Sequence, residues 1–246
     1  MRGLTQQKLR IGIVGGSAAG ALFALALSSD NVSVSIIDPH IGSTSAASPA
    51  VPQADQLHTI VDGGVRALGS IAPKILEYLK SKGALPHDPG RVMRYTEGDG
   101  WTPSVSTGLK TIFVQRSTFD DALHVELLSN QSIVRIKDRV RQINTGHDDQ
   151  ICVETDEHGS MLFDFLIIAT GKKTKIAPQI DAVLSKITEK HLVDLSIQTA
   201  TYKWTSRAPA DWKAIVIGES PAYGGKGSYL IDTCDGFFSV AHGISV

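Results

Sequence analysis

The sequence predicts an α/β protein in which a parallel strand–helix–strand part is interleaved with a second, mostly β part. Three observations predict it. A β-branched run from Leu9 to Val14 passes through Gly15-Gly16 into an Ala- and Leu-rich stretch, then into a second such run, Val32 to Ile37. From Ile133 onward the hydrophobic period changes to two, the spacing of half-buried strands. Beyond Ala200, short strand-like runs recur between Gly- and Pro-rich turns.

Each element follows from its local pattern. The first strand–helix–strand unit has about 30 residues, the size of a parallel crossover. Ala18 to Ser28 reads as a buried helix, because Ala and Leu are strong helix formers. Asn31 punctuates, and the second strand stops at Asp38-Pro39. Ile41 to Gln56 is rich in Ser, Ala and Pro and reads as an extended loop. Asp62 to Lys82 regains helical spacing, with Val65, Leu68, Ile71, Ile75, Leu76 and Leu79 on one face and Gly83 as its stop. A short strand is expected near Val92 to Tyr95, and another over Thr111 to Val114. A helix from Ser117 to Leu128 follows, with Ser117 as N-cap and Asp120 and Asp121 in its first turn. Then Ile133 to Ile136, Arg139 to Ile143, Ile151 to Thr155 and Met161 to Ile168 read as strands. Asp156-Glu157-His158-Gly159 supplies a hairpin turn. Lys172 to Leu195 is mixed, and Ala200 to Thr205, Ala214 to Ile217, Ser228 to Ile231 and Phe237 to Val240 complete the strands.

Composition narrows the function classes. With 246 residues the chain has core enough for one large domain or two small ones. A formal net charge of −1 and the lack of a long basic run disfavour nucleic-acid and membrane-surface partners. Met1 to Arg10 is polar and predicts no secretory signal, and the apolar runs Ala18 to Leu27 and Phe163 to Thr170 are too short to span a bilayer. A cytoplasmic location is the expectation. Cys152 and Cys234 lie far apart and read as small hydrophobes rather than a disulfide. The histidines show no ligand spacing, so no metal site is expected.

The chemistry is carried by Gly15-Gly16-Ser17-Ala18-Ala19-Gly20, a G-x-G-x-x-G pattern with Ser17 in place of its second glycine. Gly15 permits the tight turn out of the strand, and Gly20 lets the helix approach the sheet. The helix N-terminus offers unpaired N–H groups and positive dipole to a pyrophosphate. Asp38 ends the second strand, where a carboxylate accepts hydrogen bonds from ribose hydroxyls and repels a 2′-phosphate. The plain alternative is a structural turn. Gly15-x-Ser17-x-Ala19 also has the spacing of a hydrolase nucleophile elbow, but only one strand precedes it and Asp38 has no role there. Gly218-Glu219-Ser220-Pro221-Ala222 has similar spacing without a following helical run.

On these residues the chain resembles flavin-dependent monooxygenases of the para-hydroxybenzoate hydroxylase fold and their FAD-dependent relatives. Four stretches carry the match: Ile11 to Asp38; Val51-Pro52-Gln53 with His58 and the helix to Gly83; Val114-Gln115-Arg116 with Leu123 and Leu127; and Phe163 to Gly171. Trp212 to Gly218 and Gly225 to Gly236 are similar, less specifically, to the substrate sheet of one bacterial branch. The resemblance implies a Rossmann-like FAD-binding domain over 1–83 and 110–175, interleaved with a mostly β substrate domain over 84–109 and 176–246. It implies FAD held by Gly15, Gly16, Ser17, Ala18, Ala19, Gly20, Asp38, Arg116, Thr170 and Gly171. NAD(P)H would reduce the flavin for oxygenation of a small organic substrate. Arg116 is otherwise a surface or salt-bridge arginine, and His58 is either a packed loop residue or an active-site wall. The catalytic residues are not identified; His58 and Tyr202 are the candidates, and Tyr202 alternating with Trp204 reads more simply as core packing. The family's third fingerprint, a downstream Gly-Asp pair before a helix, has no counterpart here. Gly98-Asp99 comes too early. The expectation is therefore a C-terminally incomplete fold with half of a cofactor cradle. A catalytically silent nucleotide-binding fragment and a flavin dehydrogenase or reductase stand as alternatives.

Overall fold

The leading strand, β1 (Leu9–Val14), pairs in parallel with β2 (Val32–Ile37), Leu9 opposite Val32 and Val14 opposite Ile37. Between them α1 (Ala18–Leu27) buries Gly20, Ala21, Ala24 and Leu25, while Phe23 stays half exposed. The helix expected to be buried is thus buried on one face, where small residues bring its axis near the strands. This computed structural model describes residues 8–42, 56–98, 100–145, 150–171, 176, 178–179, 197–204, 211–218 and 226–244. Val51-Pro52-Gln53, most of the loop up to Gln56, Asp99, and Glu219 through Gly225 lie outside them.

The chain continues through β3 (Leu57–Ile60), α2 (Asp62–Ile71), α3 (Pro73–Ser81), a short α4 (Pro89–Val92) and β4 (Met93–Thr96). Next come β5 (Ile112–Gln115), α5 (Arg116–Ser129), β6 (Ile133–Ile136), β7 (Val140–Thr145), β8 (Ile151–Thr155), β9 (Ser160–Phe163) and β10 (Phe165–Ile168). The last strands are β11 (Ile197–Trp204), β12 (Ala214–Ile217), β13 (Lys226–Thr233) and β14 (Gly236–Ile244). By packing, the chain divides into two compact units, Met1–Val51 with Asp120–His191, and Pro52–Phe119 with Leu192–Val246. Residues 56–83 and 110–119, grouped with the nucleotide-binding part on sequence, pack with the second unit.

The first unit holds a parallel sheet in the order β10-β1-β2-β6 and an antiparallel sheet β7-β8-β9. Ile13, Val34 and Ile36 have no exposed surface, so each contributes roughly 1.5–3 kcal/mol of apolar burial. One strand finds its sheet here and one expectation needs correction. Ile133 to Ile136 joins the parallel sheet rather than the antiparallel strands that follow it. Met161 to Ile168 is not one strand but two, in different sheets, divided at Asp164. The break is held by Arg10: its backbone N–H donates to Asp164 Oδ2 at 2.8 Å and its guanidinium to Oδ1 at 3.1 Å. These contacts, the backbone N–H first, lower the Asp164 pKa despite partial burial.

The hairpin at Asp156 to Gly159 forms as its sequence predicts, with Gly159 at φ +71°. Asp138 fastens it. Its side chain is only 2% exposed and accepts from the Glu157 N–H, the His158 N–H and His158 Nδ1 at 3.0, 2.9 and 2.8 Å. Burial pushes the Asp138 pKa up, but these donors outweigh it and hold the carboxyl well below its usual range.

The second unit contains a five-stranded sheet, β11-β14-β13-β12-β4, antiparallel except for the β12–β4 pair. The antiparallel pair β3–β5 accompanies it. Leu57, Val92, Met93 and Tyr229 pack on the buried cluster Phe113, Ala214 and Ile231. The single helix expected over Asp62 to Lys82 is two helices, because Pro73 cannot donate to the preceding turn and instead starts α3. Its stop is as expected: Gly83 takes φ +87° just past the C-cap Lys82. α5 begins at Arg116, one residue before the expected cap Ser117, which leaves Asp120 and Asp121 beyond its first turn.

Candidate functional site

The candidate site lies at the C-terminal end of β1, where the chain must reverse direction in two residues before starting α1. Gly15 makes the turn at φ +105°, and its N–H donates to Ile37 O at 2.9 Å. A Cβ there would stand 2.6 Å from Ala169 O, so both conformation and space require glycine. At Gly20 the demand is stricter, since a Cβ would fall 1.8 Å from Gly15 O. The first turn of the helix rests directly on the turn before it.

Ser17 occupies the N-cap position without a side-chain capping bond, and α1 carries no acidic residue in its first turn. The main-chain N–H groups of Ala18, Ala19 and Gly20 belong to that turn and have no partner within the helix. Negative charge is favoured there by the aligned peptide dipoles. Asp38 closes the other side. Its Oδ2 accepts from the Gly16 N–H at 2.7 Å and its Oδ1 from the His40 N–H at 2.7 Å. Each carboxylate oxygen keeps a lone pair for a further donor.

At the end of β10, Ala169 N–H donates to Val14 O at 2.7 Å, which sets the Ala169-Thr170-Gly171 segment beside the glycine turn. Thr170 Oγ1 is buried and has no hydrogen-bond partner among the described residues. Gly171 turns away at φ +75° and is exposed. The first unit therefore brings together Gly15, Gly16, Ser17, Ala18, Ala19, Gly20, Asp38, Thr170 and Gly171. Arg116 belongs to the second unit, as the first residue of α5, with its N–H donating to Gln56 O at 2.8 Å. The first-unit residues fit a dinucleotide's diphosphate and ribose on two counts: a close-packed glycine turn before a helix start, where a Cβ at Gly15 or Gly20 would strike backbone, and an orphaned buried hydroxyl beside it.

The other sequence candidates are placed differently. His58 stacks on Phe119, ring centroids 5.2 Å apart at 18°, which is the packed alternative for that residue. Tyr202 and Trp204 are 63% and 54% exposed, so the core-packing expectation for them is corrected. They share the open face of β11, where Trp204 Nε1 donates to Ser239 Oγ at 2.9 Å. Two features escaped sequence reading: the Gly16–Asp38 latch, and the role of Asp164 as a strand break. A lone acid inside the apolar run Met161 to Ile168 was the available signal for the second. Among the described residues, no cluster of His, Cys, Asp and Glu has metal-binding geometry, and no helix is long and apolar enough to cross a membrane.

The fold so assembled is that of FAD-dependent monooxygenase and halogenase structures. A putative FAD-containing monooxygenase from Photorhabdus luminescens superposes with a TM-score of 0.65 at 16% identity, over 96% of this chain and 62% of that one. CtdE, solved in complex with FAD, gives 0.65 at 12% identity, over 98% and 60%. A tryptophan halogenase from Shewanella frigidimarina gives 0.68 at 12%, over 98% and 56%. The chain thus spans little more than half the length of these proteins. No protein-family model and no curated protein matches the sequence.

Proposed function

We propose that this chain forms the adenosine-diphosphate side of an FAD site in an oxidoreductase of the monooxygenase type, acting in a cytoplasmic setting. One observation carries the reading: a glycine turn, an uncapped helix N-terminus and a carboxylate latched to that turn converge at the end of β1. Ser17, Ala18, Ala19 and Gly20 would hold the diphosphate through main-chain N–H groups and the helix dipole, and Gly15 and Gly16, whose N–H groups serve Ile37 O and Asp38, would form the turn it rests on. Asp38 would take the ribose hydroxyls on its remaining lone pairs, and its charge disfavours a 2′-phosphate. Thr170 would donate its buried hydroxyl beside the turn, and Gly171 would leave space there. Arg116 enters on its chemistry alone, as a guanidinium that grips phosphate bidentately.

When bound, FAD supplies two-electron redox chemistry and reactivity toward oxygen, with NAD(P)H as the proposed reductant and a small organic molecule as the proposed substrate. The chain's own part is to bind, orient and shield. The test is reconstitution: purified chain is mixed with FAD, desalted, and examined for retained flavin absorbance, then for bleaching by NAD(P)H without oxygen. Retention and bleaching are expected. Failure to retain FAD overturns the reading, and retention without bleaching would favour a nucleotide-binding protein that does not turn over.

A further inference from the structure

We propose that Asp235, in the turn between β13 and β14, is a positioning residue that aims Arg116 at the cofactor's phosphates. The role of Arg116 rests on the proposed FAD site; the clasp around it is a matter of printed geometry in the second unit alone. It begins in the turn. Gly236 takes φ +144°, and the chain reverses there between the two paired strands. The Thr233 hydroxyl ties the turn to itself, accepting from the Asp235 N–H at 3.1 Å and donating to Gly236 O at 2.9 Å. Such local side-chain bonds are how Thr fixes a turn. The Asp235 carboxylate is thereby left to serve groups outside its own turn.

Those groups lie at the junction of β5 and α5. Oδ2 accepts from the Gln115 N–H at 3.0 Å, and Oδ1 accepts from the Thr118 hydroxyl at 2.8 Å. The Cys234 thiol donates to Oδ2 as well, at 3.3 Å. Because α5 starts at Arg116, one carboxylate holds the residue before the helix and the third residue within it. A capping-box glutamate does the same for the N–H ahead of its helix, and here the acceptor comes from a distant turn. Its negative charge also suits the positive end of the helix. The surroundings are fastened too: Gln115 Oε1 accepts from Lys203 Nζ at 3.3 Å, and the Arg116 N–H donates to Gln56 O at 2.8 Å.

The consequence is directional. Arg116 is half-buried on a long, flexible side chain, so its guanidinium reaches a fixed point only where the backbone beneath it is fixed. Bonds to Gln115 on one side and Thr118 on the other fix that backbone. A bidentate grip on phosphate needs orientation as well as charge, and orientation set in advance need not be acquired on binding. Asp235 touches no cofactor in this scheme and acts through Arg116.

The experiment is a double-variant cycle on the purified full chain, read as FAD affinity by fluorescence titration. Asp235→Ala should weaken FAD about 3- to 10-fold, and Arg116→Gln about 10-fold or more. Together they should match Arg116→Gln alone to within about 2-fold, because a clasp with nothing to aim adds nothing. Asp235→Asn should restore affinity to within about 2-fold of the native chain, since its amide oxygen can accept from the Gln115 N–H while its NH2 donates to Thr118 Oγ1. Melting curves verify each fold. If Asp235→Ala does not fold, Thr118→Val, which removes one of the two donors, replaces it in the cycle with an expected loss of about 2- to 3-fold. Losses that multiply in the double variant overturn the proposal, as a general structural role would produce them. So does native affinity in Asp235→Ala, or Asp235→Asn as weak as Asp235→Ala. A native chain that retains no FAD overturns the proposed FAD site itself, before any variant is compared, so the two failures are distinct results.

Discussion

The two units carry their candidate functions in opposite ways. In the first, the proposed site rests on the backbone: a glycine at φ +105° and a helix start without a side-chain capping bond. In the second, it rests on side chains, Arg116 and the Asp235 carboxylate that clasps the helix start around it. A backbone site tolerates almost no added atoms at its turn but is indifferent to many side chains around it. A side-chain site is the reverse. The comparison can be broken at either end.

The largest effect is expected from Gly20→Ala. The added Cβ would stand 1.8 Å from Gly15 O, a backbone atom that cannot rotate aside. We expect a loss of about 3 kcal/mol or more in chemical denaturation, with FAD retention lost as well. A cost below about 1 kcal/mol would show that the turn is not backbone-limited. Gly15→Val acts first in the same way, since its Cβ would meet Ala169 O at 2.6 Å. It is a poor probe of cofactor contact taken alone.

Next comes acid. Asp138, like Asp164 and Asp88, has its pKa lowered in the folded protein. At Asp88 the Thr107 hydroxyl is the main cause, and Ser106 and Gly108 add to it. A depressed carboxylate contributes stability that is complete above its unfolded value, near 3.9, and is lost as pH falls through the folded one. Melting temperature should therefore hold from pH 7 to 5 as far as these groups go, and drop below about 4. Asp138→Asn should lower it at pH 7 and flatten the acid limb. An unchanged limb in that variant would remove Asp138 as a clasp on the hairpin. This side-chain device within the backbone-dominated unit sharpens the contrast, because it fastens a turn remote in sequence from the glycines.

A smaller effect is expected at Asp38. Asp38→Ala removes the acceptor for the Gly16 and His40 N–H groups and the proposed ribose contact. FAD affinity should fall about 10-fold, or roughly 1.4 kcal/mol, by fluorescence titration. Unaltered affinity would detach Asp38 from the proposed site. The smallest effect belongs to the open face of β11. Tyr202 is 63% exposed, so Tyr202→Thr should change stability by no more than about 0.5 kcal/mol. A larger loss would mean that this face is covered in solution.

Particular residues show how far local pattern reaches into the fold. Pro73 was visible in the sequence, yet the apolar spacing on both sides of it fits one helical face, so periodicity alone bridged the break. Asp164 was equally visible. Its meaning depended on Arg10, more than 150 positions away. Tyr202 and Trp204 misled because large aromatics favour strands, while the face of β11 toward a cavity beside β3 holds Thr201. Arg116 was readable as a residue at a strand–helix junction, and that is where it stands, but packing places it in the second unit.

The sequence by itself determined the strand–helix–strand unit, the glycine turn, the acid at the end of β2, the Gly83 helix stop and the 156–159 hairpin. All of these depend on backbone conformation and neighbours a few residues away, where local chemistry has one answer. Only the tertiary structure decided that Met161 to Ile168 divides between two sheets, that Ile133 to Ile136 joins the parallel one, and that Thr201 rather than Tyr202 faces a cavity. An alternating strand announces two faces without saying which will be covered. That choice belongs to partners distant in the chain: β3 for the cavity row, β2 for β6 and Arg10 for Asp164.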